Sequence, residues 1–192
     1  FFSVSMQHFQ FASSAFTDFL NTIDEPVYTA KLLEEKTADI IKNVANGISE
    51  IGIISFNETK QKIIQREIKT SGLEFYGIGE LQAGIFINKN HPLNSGKAIT
   101  LSELSKYPIA VYDQGILSSL NFSEEALRTF DESRRIIVND GLTMINVLSK
   151  TNSYTVSIGI TTDFLSNNNI VCLPLSGIKR VKLGWIKKSD AI

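Results

Sequence analysis

The chain is poor in the residues that would point to several common functions. It has one cysteine, Cys172, so no disulfide can form within it, and thiol usage this sparse fits a reducing, cytoplasmic setting. Cys172 stands in the apolar run Ile170-Val171-Cys172-Leu173 with no acidifying neighbour in sequence, and it reads as a small buried hydrophobe rather than a reactive thiol. The 19 basic residues are matched by 20 acidic ones, which leaves no basic excess to grip a nucleic-acid backbone. No stretch reaches the roughly 20 apolar residues that span a bilayer, and no charged start precedes an apolar run as in a signal peptide. The two histidines, His8 and His91, form no zinc-ligand spacing, so no metal site is expected.

Enzyme signatures are missing too. There is no Gly-x-Ser-x-Gly elbow, no local Cys/His pair and no Gly-x-x-x-x-Gly-Lys phosphate loop. Gly77-Ile78-Gly79 precedes an expected strand rather than a helix, the wrong context for a dinucleotide fingerprint. The paired carboxylates Glu34-Glu35 and Glu124-Glu125 sit at helix starts, where solvated capping explains them. No cofactor is implied and no catalytic activity is expected.

What is present is an ordered alternation of strands and helices. Phe1 to Ser5 reads as a strand that begins abruptly, as in a fragment of a longer chain. A helix follows over 8–23, with Phe9, Ala12, Phe16, Phe19, Leu20 and Ile23 on one apolar stripe, widened by Phe11 and Ala15. Val27 to Leu33 reads as a strand, and Thr37 as the cap of a helix stopped by Gly47. Ile51 to Phe56 is a near-continuous apolar run, as in a strand buried on both faces. Asn57 caps a helix that ends at Gly72, and an extended stretch then runs from Leu73 to Asn88. His91 is placed in a turn with its ring at the surface, Thr100 to Glu103 form a capping box, and 109–112 is a strand. Further helices are expected at 123–130, at 141–150 behind Asp140 and at 161–168, with strands at 134–138, 154–160, 170–175 and 181–186. This order argues for α/β architecture with mainly parallel pairing. No fixed-period repeat is visible.

In an open α/β sheet, strand carboxyl ends and helix amino ends line a crevice where small ligands bind. Three such handovers stand out. The first offers Ser5, Gln7 and His8, the second Ser55, and the third Asp113, Gln114, Ser118 and Ser119. Their hydroxyls and amides both donate and accept hydrogen bonds. Plainer readings stand beside these. Ser5 and Ser55 can satisfy buried strand ends, Gln7 can cap a helix, and Asp113 can be a turn residue whose carboxylate would repel an anion.

Several segments resemble the effector-binding region of LysR-type transcriptional regulators. They are Phe2-Ser3-Val4-Ser5-Met6-Gln7-His8-Phe9 with its Phe-rich helix, Ile51-Gly52-Ile53-Ile54, His91-Pro92-Leu93, Ile99-Thr100-Leu101-Ser102-Glu103-Leu104, Tyr107-Pro108-Ile109 and Leu183-Gly184-Trp185-Ile186-Lys187-Lys188. The ordered set covers nearly the whole chain. The resemblance implies a two-lobed fold like that of type 2 periplasmic binding proteins, each lobe a mixed, mainly parallel sheet flanked by helices. One lobe would hold 1–78 and 163–192 and the other 79–162, with a hinge at Gly79, Glu80, Thr161 and Thr162. It further implies a small polar or anionic effector held between the lobes, with Ser5, Gln7, His8 and Ser55 matching effector-contact positions. A homodimer or tetramer would form through Phe11, Ala15, Ile145 and Leu148. DNA would be bound only through an upstream helix-turn-helix domain absent from this fragment, and no membrane partner is implied. The same fold would also suit a solute-binding protein of a transport system.

Overall fold

A computed structural model describes residues 1–97, 99–113, 134–175 and 180–189. The described residues divide into two compact units. The first holds 1–80 and 182–189, the second 81–97, 99–113, 134–175 and 180–181. Each contains one five-stranded sheet.

In the first unit, β1 (Phe2–Met6) leads through Gln7-His8 into α1 (Gln10–Leu20), then β2 (Ala30–Glu34), α2 (Thr37–Ala45), β3 (Ile51–Asn57), α3 (Glu58–Thr70) and β4 (Leu73–Leu81). The late strand β10 (Val181–Lys188) completes a sheet of order β2-β1-β3-β10-β4. β1 pairs parallel with both β2 and β3, with Ser5 level with Gly52. Helices α2 and α3 seal one face: Ile40, Val44, Ile54, Phe56, Ile64, Ile68 and Ile186 form the core there. Gly52 is a close-approach position, since a Cβ on it would sit 2.6 Å from Ile40 Cγ2 and 2.9 Å from Ile186 Cγ1. Its bare Cα lets α2 lie low over β1 and β3.

The expected strand buried on both faces is not β3, whose residues alternate buried and half-buried. It is β5 (Ala83–Asn88) in the second unit, buried at every position but the last. That unit adds α4 (Leu101–Leu104), β6 (Ile109–Tyr112), β7 (Arg135–Val138), α5 (Gly141–Lys150), β8 (Tyr154–Ile158), α6 (Asp163–Asn167) and β9 (Ile170–Pro174). The sheet order is β7-β6-β8-β5-β9, with β6 parallel to β7 and β8, and β5 antiparallel to β8 and β9. Phe86 packs with Met144, Ile145, Leu148 and Leu165 on one face, while Ile85 and Ile87 pack with Leu93, Leu104 and Tyr154 on the other.

Local chemistry sets several helix starts as anticipated. Asn57 accepts from Lys60 N–H at 3.1 Å, Asp140 accepts from Thr143 N–H at 2.8 Å, and Thr100 and Glu103 close a capping box. The expected helix over 123–130 lies outside the described residues.

Four expectations need correction. The segment 163–175 does not join the first sheet, because β9 pairs along its whole length with β5; the return to the first unit comes after Val181. Thr161 and Thr162 therefore lie within the second unit, where Thr162 caps α6 by accepting from Leu165 N–H. Gly79 and Glu80 close β4, where the described units part. Ile145 and Leu148 are 8% and 2% exposed in their own unit's core, so neither offers a surface for a dimer contact. His91 is buried, not superficial: its Nδ1 accepts from Leu93 N–H at 3.0 Å, which leaves the proton on Nε2 to donate to Asn152 O at 3.0 Å, and its ring stands edge-on to Tyr107. Burial holds its pKa below the ordinary imidazole value.

Candidate functional site

Strand period puts Ser3, Ser5 and Gln7 on the side of β1 that faces α2, and all three are buried. Three polar side chains in an interior row need partners, because each unpaired buried group costs about 1–3 kcal/mol. The fold supplies one set per residue. Ser3 N–H donates to a Glu50 carboxylate oxygen at 3.0 Å, and Glu50 N–H donates to Ser3 Oγ at 3.1 Å. Ser5 Oγ shares a 2.7 Å bond with Ser49 Oγ and accepts from Asn43 Nδ2 at 3.4 Å. Asn43 also donates to the Glu35 carboxylate. Burial first, and Asp39 second, hold the Glu35 carboxyl above the usual carboxylate range, while Lys31 pulls it the other way.

Gln7 lies at the carboxyl end of β1, and all four of its amide positions are filled. Its Oε1 accepts from Ser55 N–H at 2.7 Å and from Ser55 Oγ at 3.0 Å. Its Nε2 donates to Thr37 Oγ1 at 2.6 Å and to Ser55 O at 3.2 Å. One side chain thus ties the end of β1 to the end of β3 and to the first residue of α2. Gln7 does not cap α1; its carbonyl accepts from Phe9 N–H at 2.6 Å, and α1 starts without a side-chain cap.

The first two predicted handovers therefore meet, with Ser55 half-buried beside Gln7. His8 has a side chain 4% exposed, with its Nε2 4.0 Å from Glu34 Oε1. Ser5 is sealed in the Ser49–Asn43 network beneath the strand. Asp113 belongs to the second unit, where its N–H donates to Val138 O at 2.7 Å. Gln114, Ser118 and Ser119 lie outside the described residues. Of the dimer candidates on α1, Phe11 is half-buried and stacks on Phe9, and Ala15 is exposed.

Sequence reasoning missed Thr37. A Thr just ahead of an apolar helical run reads as a cap, but α2 starts from Lys36 without a side-chain cap, and the Thr37 hydroxyl serves Gln7 instead. Asn43 was missed as well, since its partners depend on α2 lying low over β1. Among the described residues, no group of His, Cys, Asp and Glu is arranged to hold a metal ion. Cys172 is half-buried, and burial pushes its thiol up to about 11. No helix among the described residues is long and apolar enough to cross a membrane.

No family model matches the chain, and no curated protein matches it in sequence. Solved structures do match in fold. The effector-binding domain of QuiR in complex with shikimate is 15% identical at a TM-score of 0.64, the match covering 100% of this chain and 88% of that one. The reduced regulatory domain of OxyR2 from Vibrio vulnificus is 13% identical at 0.68, covering 99% and 87%. The oxidized form of Corynebacterium glutamicum OxyR is 11% identical at 0.65, covering 99% of this chain and 58% of that one. The chain has the fold of the effector-binding and regulatory domains of LysR-type regulators, two mixed five-stranded sheets flanked by helices.

Proposed function

We propose that this chain is the effector-binding regulatory domain of a LysR-type transcription factor, cytoplasmic and without catalytic activity, and that it takes a small polar or anionic metabolite at the strand-end cluster of the first unit. The observation that carries the reading is the Gln7–Ser55–Thr37 cluster, built on the strand ends of a fold that solved regulator domains share. A neutral amide aligns two hydroxyls where β1, β3 and α2 meet, which is the equipment for holding polar groups without a net charge. The effector then shifts the protein between states by its difference in affinity for them, and a helix-turn-helix domain elsewhere in the full-length protein reads the shift out on DNA.

Assembly into dimers or tetramers is part of the proposal. Phe11 and Ala15 remain candidate contacts. Exposed Leu142 on α5 takes the place of Ile145 and Leu148, which the core consumes.

The test is a thermal-shift screen of the chain against a panel of small hydroxylated and anionic metabolites. A ligand at 100 times its dissociation constant stabilises by roughly 2.7 kcal/mol. A hit that also alters operator binding by the full-length protein is the expected result. A panel with no stabilising member, or a hit that leaves DNA binding unchanged, contradicts the reading.

A further inference from the structure

We propose that Gln7 sets the hydrogen-bond polarity of the site, so that Ser55 meets a ligand only as an acceptor while Thr37 keeps its proton to donate. The ligand class this selects is one with a hydroxyl next to a carboxylate or carbonyl oxygen, a hydroxy acid above all, rather than a bare anion. The inference rests on the effector-site reading above and deepens it.

Two of the groups that Gln7 meets have hydrogen-bond roles with no freedom. A backbone N–H can only donate, so the Gln7 atom 2.7 Å from Ser55 N is the amide oxygen. A backbone carbonyl can only accept, so the Gln7 atom 3.2 Å from Ser55 O is the amide nitrogen. The amide orientation is thereby forced by two contacts to one residue. The second lone pair of Oε1 then takes the Ser55 hydroxyl proton at 3.0 Å, and the second Nε2 proton goes to Thr37 Oγ1 at 2.6 Å.

The consequence falls on the two hydroxyls. Each has a single proton. That of Ser55 is committed to Gln7, so its oxygen has only lone pairs left for a ligand. Thr37 uses a lone pair on Gln7, and its own proton has no acceptor among the described residues, although the residue is 1% exposed. A buried donor without an acceptor costs free energy until something accepts from it. A fully ionised sulfate, which brings no proton, would face the Ser55 lone pairs unfavourably. A hydroxy acid brings a proton for Ser55 and an oxygen for Thr37.

The experiment has two arms on the intact chain. In the first, hydrogen exchange of the Gln7 side-chain amide is followed by NMR without ligand, with exposed Gln65 as internal reference. In the second, matched pairs are titrated: malate against succinate, lactate against propionate, and shikimate against cyclohexene-1-carboxylate. We expect slow exchange at Gln7 and binding of the hydroxylated member tighter by roughly tenfold or more. Ser55→Ala should remove that preference, and Thr37→Ser should keep it where Thr37→Val does not. Fast exchange at Gln7, or equal binding within the pairs, overturns the polarity inference and leaves the effector site standing. Slow exchange with no binding by any pair overturns the effector-site reading, and the ligand class falls with it.

Discussion

β1 and β5 are both interior strands of five-stranded sheets, but β1 buries a polar row on one face and apolar Val4 and Met6 on the other, whereas β5 is apolar on both. β5 contributes Ile85 and Ile87 to one apolar cluster and Phe86 to another, and no polar side chain interrupts it before Asn88. β1 and its extension put Ser3, Ser5 and Gln7 in a row against α2, each bonded to a different part of the chain. An apolar strand stabilises by area, and neighbours of similar size can replace one another. A polar interior strand stabilises little on net, but it fails wherever one partner is missing. Its product is alignment. The polar face of β1 holds donors and acceptors at fixed positions, while the first unit's apolar core lies under α2 and α3.

That contrast can be broken at either strand. Ile87→Ala should have the largest effect, a loss of about 2–5 kcal/mol in urea unfolding, because the residue is fully buried among Leu93, Leu104 and Tyr154. Gln7→Leu keeps much of the volume and removes four hydrogen bonds, so a loss of about 1–3 kcal/mol is expected from the stranded Ser55 N–H and carbonyl. A change no larger than at an exposed site would show that the amide aligns nothing.

The buried imidazole in the second unit gives a smaller, pH-dependent effect. The folded-state pKa of His91 is depressed, so below about pH 6.5 the unfolded chain takes up the proton more readily. Stability should therefore fall as pH drops from 6.5 toward the folded pKa, and be unaffected by this group above 6.5. Unfolding midpoints at pH 8.0 and 5.5 check the sign, and His91→Asn should flatten the slope. The smallest effect concerns Cys172. With its thiol pushed up to about 11, alkylation at neutral pH should be far slower than for a free cysteine and should quicken on unfolding. Rapid alkylation of the folded chain would contradict that placement.

How much of this the sequence revealed depends on how far each partner lay. Asn57, Asp140 and Glu103 were readable because their bonds close within three residues. Gln7 and Ser55 were readable as polar residues at strand ends, but their mutual lock spans 48 positions, and the one to Thr37 spans 30. Thr37 and Thr162 look alike in sequence, each a Thr at the start of a helix. Only Thr162 caps, since Gln7 claims the other hydroxyl. Ile145 and Leu148 fit an apolar helix face equally well as core or as interface, and periodicity cannot tell which side is covered. β9 was placed with the wrong unit because an edge strand carries no record of the sheet it joins. His91 read as a surface turn because the carbonyl that buries its ring edge, Asn152 O, lies 61 residues away.

The proposed binding place for a small polar metabolite is the strand-end cluster of the first unit. Amide chemical-shift mapping during titration with the best-stabilising metabolite of the panel tests it most directly. Saturable shifts are expected that include residues 7–8, 37–38 and 55–57 and that need roughly tenfold more of a hydroxylated ligand in Ser55→Ala. Shifts confined to the second unit, or spread over the exposed aromatics of α1, would contradict it.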